Sequence, residues 1–198
     1  MRKDPGNDPA LQLVPASGRS RVFLFAITVG APVLATMLGV AMGHVPTGES
    51  LWGTGNRGGD ALVAMLAVAL VMGAIALFLD RMLERHRLLL DAGGIEVATT
   101  FYRQRIAFPE LKLDAARVVR LDEHPELKPL LKSNGYALPG FRSGWFRLRN
   151  WQKAFVATSD GERALWLPTS RGFGLLLQPR DPQRLLDRLR ERVSSPAR

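Results

Sequence analysis

The chain has no cysteine, so disulfides, cysteine metal sites and thiol catalysis are excluded. Its three histidines, His44, His86 and His124, stand apart, with no partner at HxxxH or HExxH spacing. His86 sits in a basic run, and each of the three is expected at a surface or an interface. There is no GxSxG and no Walker A sequence, and no pair of carboxylates is spaced for acid–base work. Asp122, Glu123 and Glu126 cluster, but in a stretch that reads as a solvated loop. The expectation is therefore no enzyme, no cofactor and no metal.

Charge is missing from two long stretches, and these organise the chain. Val22 to Val45 is 24 residues and Ala61 to Leu79 is 19 residues, each without a charged side chain. At about 1.5 Å per residue both approach or exceed the roughly 30 Å of a hydrocarbon core. The first run is longer than the core of a signal peptide and is read as retained. Both runs are read as membrane helices of one hairpin, residues 22–80, and Pro32 is expected to kink the first. No charge lies inside either run, which speaks against a transport path. Ala31, Ala35, Gly39 and Gly43 recur at four-residue steps, and Ala69 and Gly73 repeat that spacing. Such small residues let helices approach closely in lipid. Packing within the hairpin is one use of the stripe, and a face between copies in a homo-oligomer is the other.

The flanks set an orientation. Four Lys/Arg precede the first run, Arg57 alone lies in the connecting loop, and Arg81, Arg85 and Arg87 follow the second. By the positive-inside rule both termini are cytoplasmic. Trp52 in the Gly-rich loop is expected at the opposite interface. Residues 1–21, rich in Pro, Gly and Asp and without periodicity, read as a disordered cytoplasmic tail. The net charge of +9 resides in the region from Arg81 onward, with 22 basic against 13 acidic residues. A basic domain tethered to a membrane points to anionic headgroups before nucleic acid.

After Arg87 the pattern turns from continuous to alternating. Leu88 to Leu90 begin a strand, and Ala92-Gly93-Gly94 a turn. Ile95, Val97, Thr99 and Phe101 read as the buried side of the next strand, with Ile106 and Phe108 in another. Val118 to Leu121 suggest a fourth. Residues 122–140, with three prolines, read as a long connection with a helical turn around Leu127–Lys132. Strands follow over 143–149, 153–158, 163–168 and 173–178. Asp160-Gly161 predicts a two-residue hairpin that would set Phe155 opposite Trp166. Asp181 and Pro182 open a last helix with Leu185, Leu186, Leu189 and Val193 on one face, and residues 194–198 trail as a tail.

One constellation stands out. Alternation on 143–149 puts Trp145, Arg147 and Arg149 on one face, with Trp151 and Lys153 at the hairpin tip. Arginine beside tryptophan can stack as cation–π. This tip is the candidate surface for headgroups or an acidic partner; alternatively Trp145 is core and the arginines are only solvated.

About seven short antiparallel strands capped by a C-terminal helix make the class α+β. Three stretches, LPGFRSGWFRLRN, KAFVATSDGERALWLPT and LLLQPRDPQRLLDRL, resemble the bacterial pleckstrin-homology (PH-like) proteins over residues 86–193. A preceding membrane hairpin also occurs in that group. The resemblance implies two small, nearly orthogonal sheets closed by the helix, in a bacterial inner (plasma) membrane protein. It further implies a domain that binds lipids, peptides or proteins and rarely catalyses. Phosphoinositide-binding relatives carry Lys and Arg around the first strand-to-strand turn, whereas here that turn, Leu90 to Gly94, holds Asp91 and no basic residue. No ligand residues are carried over. The leading expectation is a non-enzymatic membrane-anchored module binding a protein or peptide partner on the cytoplasmic face, alone or in an oligomer. The alternative is peripheral sensing of anionic lipid by the basic domain.

Overall fold

The computed structural model describes residues 8–42, 57–84 and 86–194. Gly43, His44 and Trp52 lie outside the described residues. The chain divides into two compact units, Arg21–Arg81 and a unit built from both flanks, Met1–Ser20 with Met82–Arg198.

The apolar unit is helical. The first span contains α1 (Gly18–Phe25), a π-helical turn over Ala26–Gly30, and α2 (Ala31–Ala41). The π turn accounts for Pro32. Proline has no N–H and collides with the carbonyl four residues back, and widening the preceding turn removes that collision. The second span is α3 (Arg57–Leu83). Gly18–Ala41 and Gly59–Leu83 have mean hydropathies of 2.1 and 2.8, long and apolar enough to cross a membrane. Their large side chains lie open: Leu34, Leu66, Leu70 and Phe78 are all more than half exposed. A core helix of a soluble protein would bury them. Arg21 Nη1 meets Asp80 Oδ2 at 3.5 Å, tying the start of the first span to the end of the second.

The second unit is the β-rich domain, α+β in class as expected, but with nine strands. β1 (Arg87–Leu90), β2 (Gly94–Ala98) and β3 (Arg103–Ala107) form a three-stranded antiparallel sheet. β4 (Arg117–Arg120), β5 (Pro129–Leu138), β6 (Phe141–Leu148), β7 (Lys153–Thr158), β8 (Arg163–Pro168) and β9 (Gly174–Leu177) form the other, in the order β4-β8-β9-β7-β6-β5. The helix α4 (Pro182–Ser194) follows, with the Asp181 carboxylate accepting from the Arg184 N–H as its N-cap.

Several expectations change here. The Asp160-Gly161 hairpin does not form: β9 lies between β7 and β8, parallel to β7 and antiparallel to β8. Phe155 pairs with Leu175 and Trp166 with Leu176. The reason is burial. Leu175, Leu176 and Leu177 form a continuous apolar run, all 0% exposed, and only an interior strand buries both faces. Leu175 and Leu177 join the main core with Phe155, Leu165, Ile95 and Leu185, while Leu176 joins a second cluster with Phe146, Val156 and Trp166. The stretch read as a long connection is instead the ten-residue edge strand β5, preceded by a 3-10 turn at Pro125–Leu127. Its register shifts by bulges at Pro129/Leu131 and Lys132/Asn134, which hid the alternation. The second strand stops at Ala98, so Phe101 stands in a turn and is 49% exposed. Val193 falls near the frayed end of α4 and is exposed. His86, expected at a surface, is buried with its ring 4.8 Å from that of Phe141.

The largest correction concerns the tail. Residues 8–20 are ordered into the domain. Asp8 caps a 3-10 turn at Pro9–Leu11, and its carboxylate also meets Arg184 at 2.8 Å. Leu11 and Leu13 are buried in the main core beside Leu177 and Leu185. Val14 donates to the Gln178 carbonyl, Arg180 to that of Gln12, and Asp181 to that of Ala10. Ser17 donates to Asp160 at 2.5 Å, and Ser20 to the Pro139 carbonyl at 2.8 Å. Two leucines two residues apart are too short a pattern to register against the surrounding Pro, Gly and Asp.

Candidate functional site

The β6–β7 turn is built around one unusual residue. Trp151 has φ of 64°, in the left-handed region that non-glycine residues seldom enter. Its N–H donates to the Leu148 carbonyl at 3.0 Å, and Leu148 in turn donates to the Gln152 carbonyl at 2.9 Å. Asn150 Oδ1 accepts from the Gln152 N–H at 3.1 Å. Arg147 Nη1 donates to the Trp151 carbonyl at 3.0 Å. These bonds hold the Trp151 side chain outward, 64% exposed.

Beneath the turn, Trp145 is half-buried. Its ring meets Phe155 edge-on at 5.3 Å and Phe173 at 4.9 Å. Lys153 Nζ lies 4.5 Å from the centre of the same ring, a cation–π contact worth about 0.5–1 kcal/mol at an exposed site. Trp145 is thus an aromatic wall joined to the core, with Arg147 and Lys153 beside it.

Arg147, Trp151, Lys153 and Phe173 border an open groove of about 470 Å³, with Lys112 and Trp166 also in its lining; Trp145 stands behind it through its contacts with Lys153 and Phe173. Trp166 sits low in it because position 174 is glycine: a Cβ there would lie 2.1 Å from the indole ring. Lys112 arrives from a distant segment. Its N–H donates to the Pro168 carbonyl, and the Ser170 N–H donates to that of Glu110, so the two segments run as a zipper. Arg171 closes it, donating to Glu110 at 2.8 Å and to the Arg105 carbonyl at 3.1 Å. The Arg171 hydrogen bond, with that from the Ala107 N–H, holds the Glu110 carboxyl below the usual carboxylate range. Three cations therefore line the groove, and none of its lining residues is a carboxylate.

Of the residues singled out in the sequence, the structure brings Arg147, Trp151 and Lys153 together around the groove, with Trp145 as its supporting wall. Arg149 is not among them. The strand ends at Leu148, so Arg149 begins the turn and its N–H donates to the Lys128 carbonyl. Lys112 and Phe173 were not foreseen, because only the zipper and the β9 insertion place them here. The small residues of the four-residue stripe are not the ones buried among the described residues; Ala61 and Ala76 of the second span are. Ala31 and Ala35 are exposed, and among the described residues nothing beyond the helix's own nearby backbone lies within 4 Å of where a Cβ would stand on Gly39 or Gly73; Gly43 lies outside the described residues. Ala69 is half-buried.

The β1–β2 turn is structural. Asp91 accepts from the N–H groups of Gly93 and Gly94 at 2.8 and 2.7 Å and pairs with Arg105. The Gly93 bond and its companions hold the Asp91 carboxyl below its ordinary value. His124 Nδ1 meets Glu126 at 3.1 Å at the surface. Among the described residues no three His, Asp or Glu side chains converge as a metal site requires.

The model of the bacterial PH domain family matches residues 86–193, more than half of the chain. The chain belongs to the bacterial PH domain family. The match begins at buried His86, at the entry to β1, and ends on α4. The core strands, the cationic groove and the capping helix of this bacterial PH domain all fall inside it, whereas Leu11 and Leu13, which complete its core, come from before the spans. Neither a curated protein nor a solved structure matches the chain.

Proposed function

We propose that this bacterial PH-domain protein is a non-enzymatic interaction module anchored by two membrane spans, whose groove binds an acidic segment of a protein partner. The observation carrying the reading is the groove itself: Lys112, Arg147 and Lys153 without a lining carboxylate, beside a Trp151 held open by its own turn. Tryptophan and arginine are the side chains that dominate interface energetics, and a carboxylate-bearing segment supplies the missing charge. Anchoring is supported by the two apolar helices and by the Arg21–Asp80 pair. It is supported further by the shared core. Residues before the first span and after the second fold into one unit, which requires both flanks on one side of a membrane. The Lys/Arg distribution supports the cytoplasmic face of a bacterial inner membrane as that side.

A photo-crosslinking amino acid at Gln152, which lines the groove, tests the reading in native membranes. Protein adducts are expected, and they should disappear when Arg147→Glu and Lys153→Glu are combined. Protein adducts indifferent to that double variant would sink the proposal. The second reading is headgroup sensing by the same groove, favoured by the exposed Trp151 among cations. Adducts to phospholipid alone would select it.

A further inference from the structure

We propose that the turn between β2 and β3, residues 99–102, is a membrane contact, in which Phe101 enters the headgroup region of an anionic bilayer between Arg87 and Arg103. The inference rests on the reading of α3 as a membrane span and is independent of the groove.

The register places the two arginines. Arg87 pairs with Ala98, and Ala98 pairs with Arg103. Direct cross-strand neighbours point to the same face, so the two arginines stand on one side of the sheet, about 10 Å apart across three strands. Both are exposed, Arg103 by 73% of its side chain. The turn leaves the sheet from this same end. It is rigid: the Thr99 N–H donates to the Tyr102 carbonyl at 2.7 Å, and Thr99 and Thr100 are buried. Tyr102 in turn bonds Asn134 of β5. The turn thus holds an apolar ring half in the open, with the ring of Tyr136 edge-on at 6.3 Å.

Chain length says what covers that ring. Leu83 ends α3 and Arg87 opens β1, four steps that span at most about 14 Å even when fully extended. Met82 lines the same hollow, of about 660 Å³, as Arg87, Phe101 and Arg103. The end of the sheet that carries Phe101 is therefore the end at which the chain enters β1, four residues after α3 ends. An aromatic ring flanked by arginines suits the interface, where headgroup phosphates lie above the acyl boundary. Glu96 meets Arg103 at 3.2 Å, and Arg87 stands on the same face of the sheet. The opposite end of the sheet carries Asp91, already paired with Arg105, and no exposed aromatic.

The absence of cysteine makes the test direct. Single nitroxides are placed on Phe101→Cys, on Ala92→Cys at the opposite end of the sheet, and on Leu70→Cys within α3, in the full chain reconstituted in vesicles of phosphatidylcholine and phosphatidylglycerol in equal parts. Collisions with dissolved oxygen and with a water-soluble nickel complex are compared by power saturation. Position 101 is expected to lose nickel collisions and gain oxygen collisions, while position 92 stays water-exposed. Adding Arg87→Gln and Arg103→Gln should restore nickel collisions at 101. Nickel collisions at 101 equal to those at 92, with position 70 in lipid, overturn this contact and leave the anchoring intact. Position 70 open to nickel overturns the anchoring reading and the contact with it. Equal burial of position 101 in pure phosphatidylcholine overturns the part given to the arginines. Protection that persists in nonionic detergent and rises with protein concentration overturns the lipid in favour of a second copy.

Discussion

Leu13 and Pro179 face one another in an antiparallel bridge, so the segment before the first apolar helix is stitched to the segment after β9. Leu11 and Leu13 are 1% and 3% exposed in the core that α4 covers. Replacing Leu11 with alanine should cost about 2–5 kcal/mol, the usual range for a buried leucine. Leu13→Asp should cost more, because an unpaired carboxylate would be buried. Unfolding in mild detergent followed by near-UV circular dichroism measures both. If residues 8–14 were a free tail, neither change would move the transition.

Trp151 offers a way to separate folding from binding. Its left-handed backbone costs about 1–2 kcal/mol for any residue with a Cβ, and glycine escapes that cost. Trp151→Gly should therefore leave stability unchanged or raise it, while groove crosslinks from Gln152 to the partner are lost. A variant that weakened both would make Trp151 a structural residue.

Gly174 and Trp166 form a steric pair. A Cβ at 174 would meet the indole at 2.1 Å, and the ring is packed against the second cluster. Gly174→Val should destabilise the domain by about 2 kcal/mol or more, the cost of overpacking. The accompanying change in tryptophan fluorescence reports the displaced ring. Combining it with Trp166→Leu should recover part of the loss, because the clash is removed.

His86 gives the domain an acid sensitivity. Burial lowers its pKa from 6.5 to about 4, and among the described residues its Nε2 has no hydrogen-bond partner. As pH falls, the unfolded chain takes up this proton first. Stability is complete above about 6.5 and declines as pH drops toward 4. The full shift corresponds to about 3 kcal/mol. His86→Leu should flatten this window in a series of pH-dependent melts. The acid sensitivity left by Asp91, Glu110, Asp122 and Glu126 falls at lower pH because their carboxyls are held below their ordinary values.

Local rules made parts of this molecule legible. Alternation marked β7 and β8 at their observed bounds, and Asp181 with Pro182 marked the start of α4. The same rules failed where a partner distant in sequence decides the outcome. Asp160-Gly161 has the chemistry of a tight hairpin, yet the 175–177 leucines need two covered faces and take the place between the strands. β5 reads as a loop in the sequence because its bulges interrupt the period that a strand is recognised by. In the groove, Arg147, Trp151 and Lys153 are close in sequence and could be named together. Lys112 and Phe173 could not, since their proximity depends on the Glu110–Arg171 zipper and on the position of β9.

The two apolar helices, the basic character of the domain, its strand-rich nature and its closing helix are legible in the sequence. These follow from composition and short periodicities, which are properties of neighbouring residues. Tertiary structure alone decided that β9 lies parallel to β7, that three cations gather without a carboxylate, and that Leu11 and Leu13 finish the core. Each of these brings together segments separated by a strand, a turn or both apolar helices. Their energy comes from burying surface that is contiguous only in the folded chain.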